Sequence, residues 1–287
     1  GNTGHKYFSA SNPPYGAVIN YYLREKPKDD VKVTITDKGG KVVRELRAGK
    51  EEGLNRVVWD LRMTPPVQPQ ENTQGGGQGG GFFFGGPRGP RVAPGEYSVQ
   101  VTAGGKQAVK AVRVEEDPRI QINEADRGRL NEAQMRVYAL QKSADAARRA
   151  LANLKAQMTA LQETMRKTPG VSPAITSSVK SVSDQVNDLQ RKLAGEAGPL
   201  GGAGPPLPDE PRPLLGRIGQ AAGGLDSYTA APTADDWRRV EDLSEELKAF
   251  LAQLNKLIDE AVPNLNKQMR DSGMTFVNAG QRVNIPQ

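Results

Sequence analysis

The chain has 287 residues, a net charge of +6, 25% charged and 36% hydrophobic residues, no cysteine and a single histidine, His5. This composition excludes disulfides, thiol nucleophiles and zinc sites built on cysteine or paired histidines, and it leaves His5 as the sole base for a Ser-His dyad. The length suggests two domains, and 32 glycines with 21 prolines predict long irregular segments. Residues 1–118 hold 17 basic and 13 acidic groups and residues 119–287 hold 22 and 20. Neither half carries the basic stripe that tracks phosphates, so nucleic acid is not an expected partner. No apolar run reaches the ~18 residues of a membrane span. The start, Gly1-Asn2-Thr3-Gly4-His5, has neither an initiator Met nor an apolar signal core, and reads as a processed product or a piece of a longer protein.

Residues 1–15 read as an N-terminal arm. From residue 16 to 118 the pattern is one of short strands separated by turn residues. The segments are Ala17–Leu23, Val31–Thr36, Lys41–Leu46, Asn55–Leu61, Glu96–Val101 and Gln107–Val114. Asp37–Gly40 and Gly104-Gly105 are hairpin turns between neighbours. Six strands in about 100 residues predict an immunoglobulin- or fibronectin-like β-sandwich, with Trp59 and Tyr97 as core or corner residues.

Between the fourth and fifth strands lies an insert, residues 75–91, in which nine of 17 residues are glycine and Phe82-Phe83-Phe84 are consecutive. Three adjacent phenylalanines need cover. Either they tuck over the sandwich edge, or they anchor a protein partner together with Arg88 and Arg91.

At Asp117-Pro118 the period changes from two to the helical repeat. Leu130, Ala133, Val137, Leu140, Ala144, Ala147, Leu151, Leu154, Met158, Leu161 and Met165 alternate steps of three and four, a heptad seam with Asn123 as candidate N-cap and Pro169-Gly170 as stop. Ile175, Val179, Val182, Val186, Leu189 and Leu193 repeat the rule, and a short connection makes the two helices antiparallel neighbours. Residues 195–213, with 11 of 19 Gly or Pro, read as a linker. A short apolar segment from Leu214 to Leu225 follows, then a long helix started by Thr233-Ala-Asp-Asp, with Pro263 as its kink or end. Residues 119–272 therefore read as an antiparallel bundle of long helices, and residues 273–287 as a tail. The fold class expected is α+β multidomain. Met135, Met158, Met165 and Met269 are core filler rather than metal ligands.

Chemistry-bearing motifs are missing. The glycine run lacks Lys-Ser/Thr and does not open a helix, and Gly-x-Ser-x-Gly, His-Glu-x-x-His and calcium-loop patterns do not occur. Asp29-Asp30, Glu51-Glu52, Glu115-Glu116-Asp117 and Asp235-Asp236 offer paired carboxylates. The first two lie in turns, and Asp235-Asp236 sits where a helix dipole favours acid. No catalytic residue, cofactor or metal is expected.

The strings Asn12-Pro-Pro-Tyr-Gly-Ala-Val-Ile-Asn-Tyr-Tyr-Leu23, Thr34-Ile-Thr-Asp-Lys-Gly-Gly-Lys-Val-Val-Arg44, Gly53-Leu-Asn-Arg-Val-Val-Trp-Asp-Leu-Arg62 and Pro94-Gly-Glu-Tyr-Ser-Val99 resemble the C-terminal region of large secreted bacterial β-propeller proteins of the sortilin-like, Asp-box "glycosyl hydrolase" type. The resemblance implies a propeller followed by an Ig-like sandwich and helices. The propeller's Ser-x-Asp-x-Gly-x-Thr-Trp box is missing here, so no catalytic residue carries over. The expected function is that of a non-catalytic, extracytoplasmic (periplasmic, surface or secreted) interaction or scaffold module. It would dock on a larger protein assembly, such as a membrane complex on its periplasmic face. The alternative is a carbohydrate-binding accessory domain, for which Tyr15, Tyr21, Tyr22 and Phe82–Phe84 are the available aromatic platform.

Overall fold

The computed structural model describes residues 12–67, 88–195, 212–273 and 277–286, and the chain separates into two compact units. Phe82, Phe83, Phe84 and His5 lie outside the described residues, as does most of the Gly/Pro segment 195–213. Among the described residues, those up to Pro65 and Arg88–Ile120 form the first unit, and residues 66–67 with those from Gln121 onward belong to the second.

The first unit holds two antiparallel sheets. Strands β1 (Ala17–Leu23) and β4 (Gly53–Trp59) form one; β2 (Val31–Asp37), β3 (Val42–Ala48), β5 (Gly95–Ala103) and β6 (Lys106–Val114) form the other in the order β3-β2-β5-β6. Alternation decides which residues turn inward. Val31, Val33 and Ile35 on β2, and Tyr97 and Val99 on β5, are buried while most of their neighbours are half-exposed. Val33, Ile35, Val43, Trp59, Tyr97, Val99 and Val114 make one core, with Ala17, Ile19 and Val57 of the smaller sheet packed against it. Trp59, fully buried, meets Tyr97 edge-on with ring centroids 5.4 Å apart. Both hairpin turns form where the glycines fall. Asp37 Oδ1 accepts from the Gly39 and Lys41 amides at 2.9 Å, and Gly104 and Gly105 supply positive φ between β5 and β6.

The second unit is helical: α1 (Glu124–Lys167), α2 (Pro173–Ala194), α3 (Leu214–Ser227), α4 (Ala234–Lys256) and α5 (Val262–Asp271), with a π turn over Leu257–Ala261 joining the last two. At 1.5 Å per residue α1 is about 66 Å long. Its seam from Leu130 to Leu161 is buried at every position, and Met165 packs beside it. All six α2 seam residues are buried as well. α1 packs on α2, α3 and α4, and one apolar cluster unites them. Met158 and Met269 are fully interior, as core filler should be.

Caps fix the helix starts. Asn123 Oδ1 accepts the Asp126 amide at 2.8 Å, and Thr233 with Asp236 closes a reciprocal capping box. Pro263 neither ends nor breaks the last helix. The π turn precedes it, with the Val262 amide bonding to the Leu257 carbonyl, so the backbone is already re-phased where the proline ring enters and its missing donor is absorbed.

Candidate partner-docking surface

Two features of the first unit face outward in a way the core does not explain. One is the neck of the glycine- and phenylalanine-rich insert. Arg62 and Arg91 form an antiparallel bridge; the Met63 amide donates to Pro90 O at 2.9 Å and the Val92 amide to Leu61 O at 2.9 Å. Arg62, only 8% exposed, sends Nη1 to Gly89 O at 3.0 Å, and its own carbonyl accepts Trp59 Nε1–H at 3.0 Å. Arg44 Nη1 holds the Met63 carbonyl at 2.9 Å and the Thr64 amide donates to Val43 O at 2.8 Å. A Cβ on Gly89 would lie 2.1 Å from Met63 O, so only glycine lets the two segments cross. Leu61, at φ +56, takes a left-handed conformation that side chains disfavour, and this turn aims Arg62 inward. The chain thus leaves at Thr64 and returns at Gly89 through a fixed gate in the core wall. Arg88 and Arg91, the basic members of the expected site, are both exposed beside it.

The second feature is the outer face of the two-stranded sheet. Register pairs Val18 with Val58, Asn20 with Arg56 and Tyr22 with Leu54. Tyr22 is 71% and Leu54 74% exposed, and Val18 is exposed beside them; Arg56 Nε donates to Asn20 Oδ1 at 3.0 Å across the middle. Tyr15, 71% exposed, lies just ahead of β1. Large apolar side chains exposed side by side on one sheet face are the kind of surface that partners cover.

The aromatic platform splits. Adjacent residues of a strand point to opposite faces, so Tyr21 turns away from Tyr22. Tyr21 donates its hydroxyl to the Gly49 carbonyl, and burial raises its pKa above the usual tyrosine value. Only Tyr15 and Tyr22 stay outward among the described rings of that set.

The acid pairs are engaged locally. Asp30 meets Lys50 and Glu51 meets Lys26, each at 2.8 Å. The Lys50 hydrogen bond and charge hold Asp30 below the usual carboxylate range. Asp117 takes a two-pronged guanidinium from Arg119, which brings its pKa down to about 2. Asp236 is lowered by the Thr233 hydroxyl and amide that it caps. Among the described residues no group of three or more His, Asp or Glu side chains is arranged to hold a metal ion. None of the described helices is long and apolar enough to cross a membrane.

Several polar residues that the sequence did not mark carry weight in the second unit. Asp145 is buried inside α1 with Arg148 Nη2 at 2.7 Å and Arg149 Nη2 at 3.3 Å. Ser143, Gln157, Asn255 and Asn266 all bond to the C-terminal segment. Each lies three or four residues from buried apolar positions on either side (Leu140 and Ala147, Leu154 and Leu161, Leu251 and Ile258, Val262 and Met269), so a polar residue on the apolar face is the signal that could have marked them.

Comparisons of the chain with protein families, with curated proteins and with solved structures find no match.

Proposed function

We propose that the chain is a non-catalytic interaction or scaffold module working outside the cytoplasm. It would be an accessory subunit, or the processed C-terminal part of a secreted protein, that docks on a larger protein assembly such as a periplasm-facing membrane complex. In this reading the two sheets are the layers of an immunoglobulin-like sandwich. The Tyr97 hydroxyl, donating to Ala93 O four residues upstream at 2.7 Å, plays the part of the tyrosine corner of such folds. The helices are an antiparallel bundle serving as a rigid spacer, and the resemblance to the C-terminal region of secreted propeller proteins is consistent with that division of labour.

The observation that carries the reading is the exposed Val18–Tyr22–Leu54 face of β1 and β4, on the same unit as a neck held by backbone and side-chain hydrogen bonds. Aromatic and aliphatic anchors on a stiff frame bind without a large ordering cost. The carbohydrate-binding alternative is weakened because Tyr21 and Tyr22 face opposite ways. Two variants test the proposal, Tyr22→Ser with Leu54→Ser, and Phe82–Phe84→Ser, in quantitative pull-downs from detergent-solubilised envelope. At least a ten-fold loss of one specific partner is expected from one of them. Recovery of free monomer alone, or identical capture by both variants and the parent, overturns it.

A further inference from the structure

Four strands of the first unit lie at sheet edges, β1 and β4 in the small sheet and β3 and β6 in the large one. An edge strand offers a row of unpaired backbone N–H and C=O groups, and folded proteins guard such rows with charged side chains. β3 carries Arg44, Glu45 and Arg47, β6 carries Lys106, Lys110 and Arg113, and β4 carries Arg56. β1, Ala17-Val-Ile-Asn-Tyr-Tyr-Leu23, carries no charge along its seven residues. Its hydrogen-bonded neighbour is β4, and among the described residues no other backbone group bonds to it. The inner side of β1 is fixed, because Ala17 and Ile19 pack on the core and the Tyr21 hydroxyl holds the Gly49 carbonyl. Its outer edge is therefore anchored, uncharged and open.

A cation without an ion pair stands beside this edge. Register sets Arg56 of β4 opposite Asn20 of β1. Arg56 Nε donates to Asn20 Oδ1 at 3.0 Å, which holds the guanidinium at the outer face and leaves both Nη groups; among the described residues no carboxylate meets it. Apolar pairs flank it along the strands, Val18 with Val58 and Tyr22 with Leu54. The outer face thus runs apolar, cationic, apolar at every second residue, a step of about 6.6 Å. A strand laid along β1 stands about 4.8 Å further out, and its outward side chains continue the three rows. The row through Asn20 and Arg56 calls for a carboxylate, which a guanidinium takes in two parallel hydrogen bonds. The other two rows call for apolar side chains. A second copy fits less well, since two-fold pairing of β1 with its own copy about Asn20 brings the two Arg56 guanidiniums together.

We infer that β1 accepts an added strand from another protein, an extended segment with one Asp or Glu between apolar residues two positions to each side. Main-chain hydrogen bonds at the β1 edge supply the affinity, and the three rows supply the choice of sequence. Val18, 46% exposed, and Tyr22, 71% exposed, gain cover from the added strand. The docking face of β1 and β4 acquires in this way a mode of binding and a class of partner, and both rest on that face being a docking surface.

The probe is the end-capped peptide Thr-Val-Thr-Glu-Thr-Val-Thr, titrated into the isotope-labelled full-length chain and followed by backbone amide NMR. Shifts centred on Ala17–Leu23 are expected, with binding about five-fold weaker for the twin carrying Lys in place of Glu. Arg56→Glu, at an exposed position, reverses that order. Two further twins carry N-methyl groups on alternate residues, one on Val and Glu, the other on the inner Thr residues. An added strand turns only one of these sets of amides toward β1, so one twin loses binding and the other keeps it. Absence of binding overturns the inference, as does an order of Glu and Lys peptides that Arg56→Glu leaves unchanged, or an equal response to both N-methylated twins. Dimerisation of the full-length chain that Val18→Lys abolishes also overturns it, by giving the edge to a second copy. Loss of the envelope partner through Tyr22→Ser with Leu54→Ser, alongside peptides that do not bind, rejects strand addition alone. Peptide binding as expected, with no envelope partner recovered, rejects the docking role instead.

Discussion

Trp59, Arg62 and Gly89 lock together through the Arg62 and Gly89 carbonyls, and the tightest crossing nearby is set by the smallest residue. A methyl group at position 89 meets the Met63 carbonyl at 2.1 Å, and the obstacle is backbone, which cannot swing aside. Gly89→Ala is therefore expected to destabilise the first unit by about 1–3 kcal/mol, the usual cost of forcing volume into a packed site. Urea unfolding followed by Trp fluorescence measures it. Asp117 offers a pH test at the same scale. Its pKa of about 2 lies below the ordinary 3.8, so the Arg119 contact is complete above the ordinary value and is lost as pH falls through about 2. A carboxyl-detected NMR titration should give a midpoint near 2; one near 3.8 would show that the turn does not form in solution. The pair is solvent-exposed, so little change in global stability accompanies that titration.

Among the elements, α4 shows how local rules and tertiary packing divide the work. Its start is wholly local: Thr233 and Asp236 satisfy each other's backbone, and Thr233→Ala should cost about 1 kcal/mol in thermal unfolding of the helical unit. Its passage through Pro263 is not local. A proline there reads as a kink or stop, yet the buried run Leu254, Leu257, Ile258, Val262, Leu265 and Met269 is continuous, and burial of that face outweighs the lost hydrogen bond, with a π turn resetting the phase. The strands show the same division in a milder form. β6 is exposed along most of its length and lies at the edge of the four-stranded sheet. Lys106, Lys110 and Arg113 supply charge along β6, which discourages edge-to-edge pairing.

At the scale of the molecule, nearly all the buried apolar side chains among the described residues fall into two clusters, one within each unit, with no member in common. Heating should then give two transitions. Trp59→Ala is expected to destabilise the one reported by near-ultraviolet dichroism by about 3–5 kcal/mol, and to leave the helical far-ultraviolet signal in place. A common shift of both signals would show a single cooperative unit. The C-terminal segment, which reads as a tail, belongs to the helical core through Val277 and Val283. Its release should therefore accompany the helical transition.

Period-two and heptad spacings, the Asp37–Gly40 and Gly104-Gly105 turns, and the Asn123 and Thr233 caps are all legible in the residues, because each is decided by neighbours within a few positions. The same holds for Tyr97, which shares the apolar face of β5 with Val99 and Val101, whereas Trp59 is read as a core ring from its size and apolar character. Arg88 and Arg91 are exposed beside the neck, and their part in partner binding belongs to the proposal. The sequence does not show that Arg62 is buried to seal that insert's neck, that Tyr21 and Tyr22 part company, or that Gln157, Asn255 and Asn266 hold the chain's end. Those depend on contacts between residues 11 to 121 positions apart, where register and facing surface, not local propensity, determine which polar atom finds a partner.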